Sequence, residues 1–232
     1  MPVYQLDEGL WFPDPKYGES DGLFAVGGDL SVNRLLLAYS HGIFPWYAYQ
    51  LYDEPHWYCP MDRFVIFPKE IHISHSMKQL MRQGKYHITI DHDFEGVIKG
   101  CSKADCRNTD MGAWLGPQMI NAYTQLHKMG IAHSVEVWEA KETENNTSIP
   151  LRLVGGLYGI DLNGAFFGES MFSLVPSASK LALIHLAQHL EKKGYSFIDC
   201  QFETPHLLSM GGRHIPYEEY MAILNANAHK KE

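Results

Sequence analysis

From Arg63 to the C-terminus, segments with strand patterning alternate with segments of helical spacing, and this alternation is what most narrows the folds open to the chain. Strand patterns fall at 64–67, 86–90, 132–138, 152–160, 165–167 and 195–198. Between them lie a helix at 74–82 capped by Ser74 and a short one at 94–101. A third runs from Pro117 to His127 and stops at Gly130. A longer helix, capped by Ser177, carries Leu181, Ile184, Leu186, Ala187 and Leu190 and stops at Gly194. Asp161-Leu162-Asn163-Gly164 predicts a tight turn between two strands, and short helices are expected around Leu207 and over 217–225. The pattern is α/β in the broad sense, α+β in layout.

The first 60 residues differ. They are rich in aromatics, glycine and proline and hold one clear helix, opened by Ser31 and ended at Gly42. Such a piece buries little surface alone and must pack on the remainder. The division expected is therefore a small N-terminal domain over 1–60 and a larger domain over 61–232. The stretch 139–150 is polar and charged and reads as a loop.

Composition excludes several classes. A hydrophobic fraction of 45% with 20% charged residues is that of an ordinary globular protein. No apolar run approaches the ~18 residues that span a bilayer, and the N-terminus lacks a signal-peptide pattern, so no membrane role and a cytoplasmic location are expected. In that setting Asn145-Asn146-Thr147 is not a glycosylation site. Cys59, Cys101, Cys106 and Cys200 lack zinc spacing and read as free thiols, while His185 and His189 find no third ligand; no metal is expected. The net charge of −8 argues against a general nucleic-acid binder. One basic island breaks it: Arg63, Lys69, Lys78, Arg82 and Lys85 against Glu70 alone. On a helix, Lys78, Arg82 and Lys85 would lie along one side.

Two strings set carboxylates among apolar residues, Gly168-Glu169-Ser170-Met171-Phe172-Ser173 and Asp199-Cys200-Gln201. A carboxylate in such a stretch costs several kcal/mol unless paired, which marks both for a task. Gly168 to Phe172 falls short of a nucleophile elbow, since Phe172 stands where that turn needs glycine. Arg152-Leu153-Val154-Gly155-Gly156-Leu157 falls one residue short of a coenzyme A pyrophosphate loop.

With Gly22-Leu23, Gly27 to Leu30, Gly42-Ile43-Phe44-Pro45-Trp46, Trp57 to Pro60, His72-Ile73-Ser74, His133 to Trp138 and Gly155 to Gly159, these strings resemble the leucyl/phenylalanyl-tRNA–protein transferases over most of the chain. The resemblance implies an acyltransferase fold of the GNAT type behind a small N-terminal domain. It implies transfer of Leu or Phe, less well Met, from charged tRNA to the N-terminal Arg or Lys of a protein, marking it for N-degron (N-end rule) degradation. No cofactor is implied, because an aminoacyl ester is already activated, and a monomer is the simplest form. Asp199 would orient Gln201, whose amide aligns the incoming amine, and Glu169 would hold an ammonium group. The competing readings are Asp199 as the cap of a turn and Glu169 bonded to backbone N–H groups. The aminoacyl pocket would draw on Trp46, Trp114, Leu157, Phe166, Met171, Leu183 and Ile198, and tRNA would meet Lys78, Arg82 and Lys85. Two departures from the family pattern are the polar run 141–150 and Phe202-Glu203-Thr204. The alternatives are an acyl-CoA N-acyltransferase on the same fold, a tRNA-dependent transferase acting on a cell-wall peptide or lipid, and a non-enzymatic RNA- or peptide-binding module.

Overall fold

The computed structural model describes residues 3–46, 49, 51–105, 115–140 and 151–228. In chain order the N-terminal part holds β1 (Tyr4–Leu6), β2 (Leu23–Gly27), α1 (Val32–Ser40), β3 (Phe44–Pro45) and β4 (His56–Tyr58). Then come β5 (Asp62–Ile66), α2 (His75–Arg82), β6 (Tyr86–Ile90), α3 (Phe94–Asp105), α4 (Pro117–Lys128), β7 (Ala132–Ala140) and β8 (Leu151–Leu162). Last are β9 (Ala165–Ser173), α5 (Ala178–Lys192), β10 (Ile198–Asp199), α6 (Pro205–Ser209), β11 (Arg213–Pro216) and α7 (Tyr217–Ala228).

Local chemistry explains many of these bounds. Ser31 Oγ accepts the Arg34 N–H and Ser74 Oγ accepts the Met77 N–H, each satisfying one orphan donor of a first helical turn. Asn163 and Gly164 both take positive φ, 52° and 65°, which closes the two-residue turn joining β8 to β9. Ser177 departs from expectation. It sits at φ 69° with no side-chain cap, and the Ser179 N–H is met instead by Ser173 Oγ at the end of β9.

Two sheets form, ordered β1-β2-β4-β3 and β11-β5-β10-β9-β8-β7-β6. The first sheet and β11 went unread in the sequence. Their strands are two to five residues long, too short to display a period. Strand β9 extends well beyond the expected 165–167 through Ser173, whereas β10 is only Ile198–Asp199. Strand β7 continues through Ala140; the rest of the expected loop lies outside the described residues. The large sheet is antiparallel except for β9 and β10, which pair in parallel.

Each face of this sheet carries its own buried cluster. One gathers Tyr39, Val97, Tyr123, Tyr158, Phe167 and Tyr220 with Phe24 and Trp57 of the first sheet, so the two sheets share a core. The other packs α5, through Leu181, Leu183, Ile184 and Leu186, on Val135, Leu157, Phe166 and Ile198. A side chain on Gly155 would strike Ala178 Cβ at 2.5 Å. Gly155 thus serves the close approach of α5 to the sheet, while Gly156 faces the other side, where a Cβ would meet Val97 Cγ2 at 3.0 Å.

Candidate active site

Strands β9 and β10 pair only as far as Phe167 opposite Asp199, and beyond that point they separate. Two local devices do this. In the β8–β9 ladder Tyr158 faces Ser170 and Gly159 faces Gly168, which leaves Glu169 as the extra residue of a β-bulge. The bulge shifts the alternation by one: Phe166 and Met171 face α5, while Phe167 and Phe172 belong to the opposite cluster. On the other side Gln201 takes φ 59°, turning the chain out of the sheet immediately after β10.

Glu169, partly buried at the mouth of this gap, is bonded on both oxygens. The Tyr39 hydroxyl lies 2.8 Å from Oε1 and the Tyr123 hydroxyl 2.7 Å from Oε2, and the two hydroxyls are 2.7 Å apart. Gln201 Nε2 donates to Oε1 at 3.3 Å. Its partners are therefore side chains, not the backbone N–H groups of the competing reading. Burial pushes the Glu169 carboxyl up to about 7, against the opposing pull of the two tyrosine hydroxyls.

Asp199 is fully buried and bonded to four donors. Arg63 Nε and Nη2 donate to its two oxygens at 2.8 and 2.7 Å, the Tyr220 hydroxyl at 2.8 Å and the Gln201 backbone N–H at 2.9 Å. The guanidinium lies between the rings of Phe44 and Tyr220, 4.7 and 5.1 Å from their centroids. Burial works against the Arg63 cation, but the Asp199 carboxylate outweighs it and raises its pKa. Asp199 meets Gln201 through the backbone N–H two residues on, as the cap of a turn does, while the Gln201 amide reaches Glu169. Arg63, expected as part of the basic island, is corrected to a buried cation. Tyr39, Tyr123, Tyr220 and Arg63 were missed as site residues, because tyrosine on a helix and arginine on a strand carry no local signal of a partner far along the chain.

Two cavities meet at Glu169 and Gln201. One, of about 290 Å³, lies in the gap and is lined by Leu157, Met171, Leu183, Leu186 and Ile198, together with Thr204, His206 and Leu207. The other, about 140 Å³, is walled by Phe44, Pro45, Trp46 and Phe202. Of the residues expected in one apolar pocket, Leu157, Met171, Leu183 and Ile198 line the first and Trp46 the second. Phe166 is buried and lines a third cavity instead, beside Asp91, His133 and His189. Trp114 lies outside the described residues.

Lys78 and Arg82 are exposed on α2, with no carboxylate in salt-bridge range among the described residues. Lys85 follows the helix, beyond Gly84 at φ 62°, and pairs with Glu139 at 2.9 Å. It does not extend a line of charge along α2. Among the described residues no group of three His, Cys, Asp or Glu could hold a metal, and no helix is long and apolar enough to cross a membrane.

Residues 65–225 match a family model described as leucyl/phenylalanyl-tRNA protein transferase, and 28–61 match the model of that family's N-terminal domain. The chain is 45% identical to the leucyl/phenylalanyl-tRNA–protein transferase of Anaeromyxobacter sp. (strain Fw109-5), covering 97% of this chain and 90% of the relative. It is 44% identical to those of Thermodesulfovibrio yellowstonii, over 100% of this chain and 89% of the relative, and Desulforapulum autotrophicum, over 100% and 95%.

Proposed function

The chain belongs to the leucyl/phenylalanyl-tRNA–protein transferase family, an aminoacyltransferase working from charged tRNA onto proteins; from that premise we propose that it transfers Leu or Phe, less well Met, to N-terminal Arg or Lys. The observation that carries this reading is the joint placement of Glu169 and Gln201 at the meeting of an apolar cavity and an aromatic one. At about 290 Å³ the apolar cavity sits near the lower end of ligand pockets, ~300–1,000 Å³, as a site for one side chain should. The neighbouring wall of Phe44, Trp46 and Phe202 suits the terminal adenosine of the donor, whose base can stack on such rings.

Gln201 donates through Nε2 to Glu169, so its Oε1 is the atom left to accept from the acceptor amine. The neutral amine attacks the ester carbonyl, the C–N bond forms, and the C–O bond to the ribose breaks. The amine's proton passes to the leaving ribose oxygen. A neutral amide is a weak base, so Gln201 contributes alignment, which intramolecular analogies rate at several kcal/mol. Asp199 with Arg63 holds Gln201 in its left-handed turn. Glu169 receives an ammonium group of donor or acceptor. Leu157, Met171, Leu183 and Ile198 form the aminoacyl pocket, and Lys78 and Arg82 take phosphates of the acceptor stem, with Lys85 contributing less.

The reading includes a larger domain of GNAT type over 61–232 behind the segment 1–60, a monomeric cytoplasmic enzyme, and products destined for N-degron degradation. Incubation with labelled leucyl-tRNA and an Arg-starting peptide is the test. Label in the peptide without coenzyme A supports it; no labelled peptide, or a need for coenzyme A, rejects it.

A further inference from the structure

Tyr39, Tyr123 and Glu169 make three oxygen–oxygen contacts, at 2.7, 2.7 and 2.8 Å. Each contact at that distance needs one hydrogen between its oxygens. With Glu169 ionised, the set holds two hydrogens, one on each phenol. However the hydroxyls rotate, one contact is then left with two oxygens facing each other and nothing between. A third hydrogen on the carboxyl closes the set. The Gln201 amide gives the ring a direction, because it donates to Oε1 and so places the carboxyl hydrogen on Oε2. Oε2–H then donates to Tyr123, Tyr123 to Tyr39, and Tyr39 back to Oε1.

We propose that Tyr39, Tyr123 and Glu169 form a closed three-proton ring in the free enzyme, with Glu169 neutral, and that the ring yields one proton to solvent when a substrate ammonium group docks on Glu169. The balance is simple: the carboxylic acid and the arriving ammonium become a carboxylate–ammonium pair plus one released proton. Both phenols then turn to donate to the carboxylate. Tyr39 and Tyr123 are positioning residues that set the charge of Glu169.

The surroundings agree. The charged and titratable neighbours are Asp199 on β10, whose negative charge disfavours a second carboxylate, Arg63 on β5, which favours one, and Tyr158 on β8 beside Tyr39. Arg63 already serves both oxygens of Asp199, which leaves burial as the larger influence on Glu169. A site neutral at rest admits an apolar side chain without first dehydrating a charge, and becomes anionic only once a cation is present to pair with it.

The identity of the ammonium rests on the aminoacyl-transfer reading; the ring does not. The test therefore has two arms, both on the full chain. Infrared difference spectra of free wild type and Glu169→Gln should show a protonated-carboxyl stretch at pH 5.5–6 (a range set on the order of one unit below the Glu169 midpoint), absent from the variant and lost in alkali. Tyr39→Phe should move that band to higher frequency, since the carbonyl oxygen loses a donor. No such band, or none that responds to Tyr39→Phe, overturns the ring. In the second arm, calorimetry in buffers of different ionisation enthalpy follows binding of 3′-leucylamino-3′-deoxyadenosine and its des-amino counterpart. The first should release about one proton per site and the second none, from the ring stoichiometry. Equal release by both overturns the docking step. The infrared band together with no binding of either analogue would leave the ring standing and reject the aminoacyl reading.

Discussion

Arg63 and Asp199, 136 residues apart in the chain, meet in a two-point ion pair buried on both sides. The pair spans β5 and β10 and is stacked between Phe44, which lines the aromatic cavity, and Tyr220 of α7. It ties the turn that carries Gln201 to the wall beside it.

Removing one partner leaves a charge buried and unpaired. Arg63→Met should therefore destabilise the fold by ~3–5 kcal/mol, read as a fall in the denaturation midpoint. Asp199→Ala should cut turnover at least tenfold while charged-tRNA affinity stays nearly intact, on the order expected when an aligning contact is lost. A collapse of tRNA binding in that variant would reassign Asp199 to a purely structural role.

Gly42 lies at φ 72°, and a side chain there would reach Tyr220 Cε1 at 2.6 Å. Gly42→Ala should cost ~1–3 kcal/mol in backbone strain alone and push Tyr220 away from Asp199. Turnover should fall with stability. A fully active, fully stable variant would show that the Tyr220 hydroxyl is dispensable.

Truncating the pocket wall should change which donor is used. Met171→Ala enlarges the apolar cavity, so the ratio of Phe to Leu transfer should rise about tenfold, within the ~1–3 kcal/mol that a methylene-scale change decides. Competition between the two charged tRNAs in one reaction measures it. An unchanged ratio would move the side-chain site elsewhere.

Paired replacement of Lys78 and Arg82 by Ala should weaken tRNA binding and flatten its salt dependence by about one to two units of log–log slope. Lys85→Ala should do less, because Glu139 already neutralises that ammonium. Equal effects of both changes would mean that Lys85 leaves Glu139 for a phosphate.

Stability should report the charge of Glu169 through pH. Its carboxyl is lifted from 4.5 to about 7 by burial. Across that window the folded chain keeps a proton that the unfolded chain has released, so folding stability declines as pH rises. Glu169→Gln cannot ionise and escapes the decline. Between pH 5 and 8 the wild-type melting temperature should therefore fall relative to the variant by about 5 °C. A constant difference between the two would place Glu169 at an ordinary carboxylate value.

Features set by neighbours in sequence were legible in advance. Ser31 and Ser74 cap their helices and Asn163-Gly164 turns β8 into β9, because each depends on contacts within a few residues. Failures occurred where that locality ended. Ser177 looks like a cap, but Ser173, on the strand before it, supplies the bond. Lys85 looks aligned with Lys78 and Arg82 until Gly84 ends the helix. The bulge at Glu169 leaves no mark in an apolar run, yet it shifts every later side chain of β9 to the other face.

Family, the alternation of strands and helices, and the three polar residues Glu169, Asp199 and Gln201 are all contained in the amino-acid order, since propensity, caps and motif spacing act over short range. Which groups those three touch is a tertiary matter. Arg63 reads as part of a basic island in the sequence and is the buried counter-ion of Asp199 in the fold; Tyr39 and Tyr123 fall within expected helices with no local sign of a site and hold Glu169. The reason is burial: once water is excluded as a partner, each polar group must bond to whatever the packing brings alongside, and packing joins segments that are distant in the chain.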